Sequence, residues 1–451
     1  MIFKNQRNPI LPVSVHVPDS EAHVFSDGKL YVYGSFDNRD DVFCSEEYHV
    51  VSTADMKEWE IEDTASLKGS EVPWFNDPDA PKYPGIDWSK PTPFIKKMLE
   101  ERPADKEAFE ADSDKPKPAL LFAPDCIEKD GKYYFYFCMS DDSEGVAVSN
   151  SPKGPFTNVI QLPCGGIDPA IFVDDDRNAY LYWGQLYSHG VRLNADMTGF
   201  DRNDIIDDLV TEEKHFFHEG SSMRKIGDTY YYVYADMERG KPTSLGYSVS
   251  KSPMGPFEYK GIIIDNAPCD PESWNNHGSI ECVNGQWYVF YHRSSRNSQM
   301  HRRLCVEKIN IMPDGTIPEV KMTSQGVGEP FRPGETIMGY MACEVHGGCY
   351  IDLDDEYGEA LTSLNMGSSA IYRYVKNDSA WKEIRVTAKG EGIVDILMNK
   401  NKVGQLRIDE KGSYKDFETA INCPMGEYEL ELKVSEASDT NNLKIAMITL
   451  L

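Results

Sequence analysis

The sequence has no long apolar run and no paired cysteine motif. No stretch approaches the ~18 apolar residues of a membrane-spanning helix, and the N-terminus, MIFKNQRNPILPVSVHVPD, shows no apolar segment or cleavage site of a secretory signal. The ten cysteines include no CxxC pair, so no structural zinc site is expected and the thiols should be reduced and mostly buried. We therefore expect a cytoplasmic protein that does not bind membranes.

Basic residues are also scarce, with 46 Lys and Arg against 74 Asp and Glu, a net charge of −28. So acidic a surface repels phosphate backbones and anionic lipids, which argues against nucleic-acid partners and favours a neutral ligand. Of the 451 residues, 40% are hydrophobic and 11% aromatic, which is enough for a large core. The length fits two or three domains.

One pattern recurs five times: a turn containing Asp, Asn or Gly, followed by alternating aromatic and β-branched residues. Each copy predicts a β-hairpin. The copies lie at residues 25–37, 127–140, 172–185, 224–237 and 282–293.

A second element follows several hairpins: a strand carrying Ser or Thr, a turn and an aromatic residue, at 52–61, 149–158 and 250–259. A hairpin plus this outer strand is typical of one propeller blade, so the five hairpins predict a five-bladed β-propeller. The alternative is an ordinary β-sandwich. The excess length at 68–118, rich in Pro, Asp and Lys, predicts an insertion on one face of the first blade.

The sequence pattern changes after about residue 331, where the blade motifs no longer occur. Alternating stretches at 370–375, 383–390, 392–399 and 428–434 predict short strands of a second β domain, a sandwich of ~115 residues. The fold class is therefore all-β. We expect the propeller to span 1–328 and the sandwich 335–451.

Three acidic residues hold comparable positions just ahead of hairpins: Asp19 in HVPDSEAHVF, Asp168 in GGIDPAIFVDDD and Glu219 in FFHEGSSMRKIGD. Loops and strand starts on one face of a propeller converge on its axis. A carboxylate buried there is costly unless it is hydrogen-bonded or used in chemistry. Any one of them alone would be explained as a turn former.

The five hairpins and the stretches ahead of them, over residues 8–320, resemble the blade motifs of glycoside hydrolase family 43. That family contains five-bladed propellers that act by inversion as α-L-arabinofuranosidases, β-xylosidases and arabinanases. The resemblance implies Asp19 as general base, Glu219 as general acid and Asp168 as a third carboxylate that keeps the acid protonated. The SEAHVF stretch departs from the family's forms and leaves Glu21 as a competing base. The C-terminal segment resembles a family 6 carbohydrate-binding module.

The resemblance also assigns two residues of the later blades. His277, in NNHGSIECVNG, matches a histidine near the propeller axis that often coordinates calcium, so it implies a calcium ion there and contact with the sugar. The alternative is a hydrogen-bonded buried histidine, since calcium prefers oxygen ligands. Arg302 matches an arginine that contacts sugar hydroxyls, with its neighbour Arg303 as the alternative. No other cofactor is implied.

We name Phe36, Phe122 and Trp183 as the aromatic platform for a sugar ring. Aromatic faces stack on the apolar faces of pentose rings and bury area at low entropy cost. Each of the three rings would serve equally well as core.

Other interpretations remain. Retaining β-fructosidases of family 32 carry NDPN and RDP motifs, where this chain has VPDS and GIDP. Propeller mannoside phosphorylases would need a basic phosphate pocket, and a propeller that only binds sugar would need no acid–base pair. The prediction is an inverting glycoside hydrolase that releases terminal α-L-arabinofuranosyl or β-D-xylosyl groups from oligosaccharides. The sequence does not indicate an oligomeric state.

Overall fold

Antiparallel β-sheet is the main regular structure of the described residues. Five small sheets are followed by a sheet of nine strands, which confirms the all-β class and the five-bladed propeller with a second β domain. The computed structural model describes residues 1–86, 90, 92–101, 118–378, 381–437 and 443–451.

The first blade takes its outermost strand from the N-terminus. Its strands lie in the order β1-β6-β5-β3-β2, while β4 and β7 pair separately. The bounds are β1 Ile2–Lys4, β2 Glu21–Val24, β3 Leu30–Tyr33, β4 Glu47–Tyr48, β5 Val51–Thr53, β6 Glu58–Ile61 and β7 Leu67–Lys68.

The other four blades follow in chain order, each a meander of three or four antiparallel strands. The second blade has β8 Leu121–Lys129, β9 Lys132–Met139, β10 Ser143–Ser149 and β11 Thr157–Gly165. The third has β12 Ala170–Val173, β13 Ala179–Trp183 and β14 His189–Arg192. The fourth has β15 Phe217–Ile226, β16 Thr229–Asp236, β17 Ser244–Ser250 and β18 Glu258–Asp265. The fifth has β19 Ser279–Val283, β20 Gln286–Ser295 and β21 Ser298–Ile309.

All five predicted hairpins are confirmed, because each spans antiparallel strands of one blade: β2–β3, β8–β9, β12–β13, β15–β16 and β19–β20. The first strands of these hairpins contact one another in a closed ring, β2 to β8 to β12 to β15 to β19 and back to β2. This ring surrounds the propeller axis, so residues at the strand starts are brought together.

The aromatic residues that made the hairpins recognisable fill the spaces between blades. Five hydrophobic clusters each join two neighbouring blades; for example, Tyr33 of the first blade packs with Phe135 of the second. The N-terminal segment joins the first blade to the last, since Asn8 Nδ2 donates to the Val306 carbonyl at 3.0 Å and Ile10 N to the Leu304 carbonyl at 3.0 Å. The ring is thereby closed without a shared strand.

A buried charge cluster links the first strands around the axis. Arg224 of β15 donates through Nη1 to Glu21 of β2 at 3.2 Å and through Nε to Glu281 of β19 at 3.1 Å. Asp125 of β8 contacts His23 Nε2 at 2.7 Å. Burial raises the pKa of Glu21 and of Asp125, and the charge of Arg224 opposes that effect.

The second domain is one sheet around one core. Its strands lie in the order β23-β26-β29-β27-β30-β25-β24, with β22 paired to β30 and β28 to β27. The strands predicted at 383–390 and 392–399 are a single long strand, because a register shift between Ala388 and Gly390 bends β27 without ending it. The bounds are β22 Thr336–Met338, β23 Glu344–His346, β24 Tyr350–Asp354, β25 Gly358–Thr362, β26 Ser369–Asn377, β27 Glu383–Met398, β28 Asn401–Ala420, β29 Gly426–Ala437 and β30 Lys444–Leu450.

Helices are short. No helix among the described ranges is long and apolar enough to span a bilayer. Residues 87–89, 91 and 102–117 of the predicted insertion lie outside the described residues. Within the described residues the helices are α1 Pro93–Glu101 and α2 Glu212–His215, with 3₁₀ turns at Gly69–Glu71, Arg202–Asp204, Ala267–Cys269 and Gly339–Met341.

We predict that Arg224→Met destabilises the protein by about 3–5 kcal/mol, because Glu21 and Glu281 would then be buried without their cation. Urea unfolding measures this change. The control Arg385→Met removes an exposed surface pair with Glu418, for which we expect little change in stability because solvent screens the pair. Equal losses for both variants would contradict the role of Arg224.

Candidate active site

The three predicted carboxylates lie at the starts of the first strands of three blades. Asp19 precedes β2, Asp168 precedes β12, and Glu219 is the third residue of β15. All three are buried. Asp19 and Asp168 have φ values of 56° and 59°, in the left-handed region that residues other than glycine rarely adopt. Such backbone strain is common at functional sites, where surrounding structure maintains it.

Asp19 is a buried carboxylate held by donors on both oxygens. Arg302 Nη1 donates to Oδ1 at 2.9 Å and Ser35 Oγ to Oδ2 at 2.7 Å. The Nδ1 atoms of His277 and His292 lie 3.7 and 3.6 Å from Oδ1. Burial alone would raise the pKa of Asp19, but Arg302, the two histidines and the Ser35 hydrogen bond outweigh it and lower the pKa below its ordinary value. Asp19 is therefore ionised at neutral pH, as a general base must be.

Arg302 is fixed in place by a second carboxylate. Asp37 accepts from Arg302 Nε and Nη2, both at 2.9 Å, in a bidentate pair. The next residue, Arg303, points away and pairs with Glu359 of the second domain. The structure thus directs Arg302, and not Arg303, towards Asp19. Its contact with a sugar hydroxyl stays a prediction.

Glu21, the competing base, is not at this site. Its carboxylate accepts from Ser222 Oγ at 2.7 Å and from Arg224, within the axial charge cluster. Both partners hold it between blades, so it has a structural role and Asp19 remains the candidate.

Glu219 is held by two amide side chains. Gln185 Nε2 donates to Oε2 at 2.7 Å and Asn275 Nδ2 to Oε1 at 3.1 Å. His218 Nε2 lies 3.8 Å from Oε2. The Asn275 carbonyl also contacts His292 Nε2 at 3.0 Å, so the loop that holds Glu219 is tied to a histidine beside Asp19.

Asp168 lies between the other two carboxylates. It accepts from the backbone N–H of Gly220, next to Glu219, at 3.0 Å, and its Oδ2 lies 3.8 Å from His277 Nδ1. Burial raises the pKa of Asp168 well above its ordinary value, and the negative charges of Glu219 and Asp19 raise it further. Asp168 therefore holds a proton to higher pH than an isolated carboxyl group would.

His277 sits beneath the carboxylates, with Nδ1 facing both Asp19 and Asp168. It packs against Gly220, where a Cβ atom would lie 3.0 Å from the imidazole ring, and the φ of +77° at Gly220 also favours glycine. His277 offers one nitrogen to a cation that prefers oxygen ligands. Calcium coordination by His277 stays a prediction.

A second group of potential metal ligands, Glu21, His23 and Asp125, lies on the axis. Its oxygens are already occupied: Asp125 accepts from His23 and a backbone N–H, and Glu21 accepts from a hydroxyl and from Arg224. The guanidinium of Arg224 supplies the positive charge that a metal ion would bring. This cluster does not fit a cation.

The proposed aromatic platform is only partly supported. Phe36 and Phe122 are half-buried, and their contact with sugar stays a prediction. Trp183 is 2% exposed and stacks against His189 and Phe200 at centroid distances of 5.1 and 5.8 Å. Since these contacts leave the indole almost no free surface, Trp183 is better explained as core than as a platform.

Sequence reasoning missed the residues that orient the carboxylates. Ser35 follows Gly34 at the end of β3, and Gln185 follows Gly184 at the end of β13, so the two residues occupy equivalent positions in the first and third blades. Aligning the hairpins on this glycine and the polar residue after it would have found both. Asp37, Asn275 and His292 were also missed, and the hairpin alignment does not identify them.

Comparison with known proteins agrees with this geometry. The model of glycosyl hydrolases family 43 matches residues 99–317. A xylosidase/arabinosidase from Thermoclostridium stercorarium is 26% identical over 94% of this chain and 94% of its own length. A xylosidase/arabinosidase from Humicola insolens is 28% identical over 68% of this chain and 97% of its own length.

Two solved structures extend the comparison. A family 43 β-xylosidase/α-arabinofuranosidase from a compost microbial metagenome, described as a calcium-free form with xylotriose, is 25% identical with a TM-score of 0.54 over 71% of this chain and 99% of that chain. An arabinoxylan arabinofuranohydrolase from Bacillus subtilis is 21% identical with a TM-score of 0.50 over 98% of this chain and 97% of that chain, so the fold of both domains is shared.

The fold and the carboxylate site define a propeller glycosidase. Over residues 99–317 the chain is similar to glycosyl hydrolases family 43, and the relatives that span most of its length are xylosidases and arabinosidases.

We predict that Asp168→Asn removes one ionisation from the pH profile of kcat/KM. Burial and the negative charges of Glu219 and Asp19 raise the pKa of Asp168 well above its ordinary value, and an amide does not titrate. The measurement is the pH dependence of oligosaccharide hydrolysis by the variant and the wild type. An unchanged profile would show that the ionisation of Asp168 does not affect turnover.

The same substitution should stabilise the fold near neutral pH. Because folding raises the pKa of Asp168, this group's contribution is present below its unfolded pKa and is lost as pH rises through the folded value. Asparagine does not ionise, so the variant does not lose this stability as pH rises. Its thermal unfolding midpoint should therefore lie above that of wild type at pH 7, and the difference should shrink towards pH 4. A larger gain at low pH would contradict the assignment.

Proposed function

We propose that the protein is an inverting glycosidase that releases a terminal pentose, α-L-arabinofuranosyl or β-D-xylosyl, from short oligosaccharides. The observation that carries the proposal is the meeting of Asp19 and Glu219 from different blades around Asp168 and His277. The description of the relatives as xylosidases and arabinosidases supports a pentose as the sugar.

Asp19 is suited to activate water. Its carboxylate stays ionised because Arg302 lies against it, and Ser35 fixes its orientation. In an inverting reaction the base takes a proton from the water that attacks the anomeric carbon, on the side opposite the leaving group. Arg302 is itself locked by Asp37, so the base is positioned before substrate binds.

Glu219 is suited to protonate the leaving oxygen. Asp168 lies beside it and accepts from the backbone N–H of Gly220, the residue after Glu219. An acid in this reaction must carry a proton, and the hydroxyl of a protonated Glu219 needs an acceptor. Gln185 or Asn275 can present its amide oxygen after a half-turn of the amide, so both side chains can hold Glu219 in either protonation state.

We further propose a cytoplasmic location, a calcium ion near His277, and an uncharged oligosaccharide as the substrate bound. The free state of all ten cysteines agrees with a reducing compartment. The described start of α1 lies beside the site, which agrees with a pocket for short substrates walled on one side by the insertion.

The acid is tested by Glu219→Ala, after a panel of p-nitrophenyl glycosides has identified the pentose that the wild type releases. We expect kcat on natural linkages to fall by about 10²–10⁴. Turnover of the p-nitrophenyl glycoside should be largely spared, because that leaving group departs without protonation. The measurement compares kcat for the two substrates.

The matched control is Glu213→Ala, an exposed glutamate on α2, which should leave both activities unchanged. If Glu219→Ala retains full turnover of the oligosaccharide, or loses both activities equally, Glu219 is not the acid.

A further inference from the structure

Two aromatic side chains stand beside the proposed acid. The ring of Phe94, at the start of α1, lies 5.0 Å from the ring of His218 and 6.5 Å from the ring of Trp274, edge-on to both. His218 directly precedes Glu219, and Trp274 directly precedes Asn275, which donates to Glu219. The aromatic pair therefore lies against two residues that contact Glu219, since His218 Nε2 is 3.8 Å from Glu219 Oε2 and Asn275, next to Trp274, donates to Oε1.

Trp274 is unusual in its exposure. Among the tryptophan and phenylalanine side chains that the structure describes, it alone is exposed, at 37%. It also lines a cleft of about 430 Å³ with polar neighbours that include Lys241, Glu272 and Gln299. An exposed indole beside hydrogen-bonding side chains is suited to a sugar, which offers an apolar face and a rim of hydroxyls.

The aromatic pair is held rigidly relative to the acid. Phe94 N donates to Glu212 Oε2 at 2.9 Å, which fixes the start of α1 on α2. Ile95 packs with Leu186, the residue after Gln185, which itself donates to Glu219. The segments that carry Phe94 and the partners of Glu219 therefore form one packed unit.

The proposed mechanism indicates what binds on the side of the site where Phe94 and Trp274 lie. The acid protonates the oxygen of the departing group, so the departing sugar must lie on the side of Glu219, away from Asp19. We infer that Phe94 and Trp274 form the platform for the leaving-group sugar and so determine the preference for oligosaccharides. This inference rests on the proposed function and extends it to the part of the substrate beyond the cleaved bond.

The test compares a substrate that has a leaving-group sugar with one that lacks it. The pairs are xylobiose with β-D-xylosyl fluoride, and arabinofuranosyl-xylobiose with α-L-arabinofuranosyl fluoride. For Trp274→Ala we expect kcat/KM on the oligosaccharide to fall tenfold or more, since stacking contacts of this kind contribute on that scale. Hydrolysis of the matching fluoride, whose leaving group is a single atom, should stay within about twofold of wild type.

Phe94→Ala should show the same selective loss, and Trp274→Phe, which keeps an aromatic face, should recover most of the oligosaccharide activity. Leu353→Ala, at an exposed apolar position of the second domain, is the control and should change neither substrate. Thermal unfolding midpoints close to that of wild type establish that the variants fold.

Two results would overturn the inference: an equal loss on oligosaccharide and fluoride in Trp274→Ala, or no loss on either. The first would mean that Trp274 only positions Glu219, and the second that the leaving sugar lies elsewhere. A wild-type protein inactive on both pairs would instead refute the proposed function itself.

Discussion

The proposed active site depends on the carboxylate of Asp19 staying charged although nearly all of its surface is buried. Asp19 does so because Arg302 donates to it at 2.9 Å, while Asp37 holds that guanidinium in place through a bidentate pair. The three groups form a compact buried network in which two carboxylates share one cation. Without that cation, burial would favour the protonated acid, which cannot act as a base.

Asp168, in the same site, is in the opposite situation, because its surroundings favour the protonated form. Asp168 has no arginine or lysine among its contacts with the described residues; it accepts from one backbone N–H and faces His277, while Glu219 and Asp19 add negative charge around it. One end of the site thus favours the ionised form of Asp19 and the other favours the protonated form of Asp168. Neighbouring carboxyl groups whose environments move their pKa values apart are typical of a site for acid–base chemistry. The closed ring of blades makes this possible because it brings strand starts from distant parts of the chain together.

Much of this arrangement could be predicted from the sequence, because the propeller repeats itself. The five aromatic hairpins were visible, and each carboxylate preceded one of them, so convergence at the axis followed from topology. The residues that tune the carboxylates were harder to predict. Asp37 and Arg302 are 265 positions apart, and no local pattern reports their bidentate pairing. Trp183 was misjudged because an aromatic residue at the end of a strand serves equally well in the core and in a binding site, and only its packing against His189 distinguishes the two.

The stereochemistry of the first product tests the central claim most directly. If Asp19 activates water on one side of the sugar while Glu219 protonates the other, the configuration at the anomeric carbon must invert. Proton NMR recorded during early turnover should show α-xylose first from a β-xyloside, or the β-anomer of arabinofuranose first from an α-L-arabinofuranoside. The retained anomer appearing first would mean that a carboxylate attacks the sugar directly, and it would contradict the roles of Asp19 as base and Glu219 as acid.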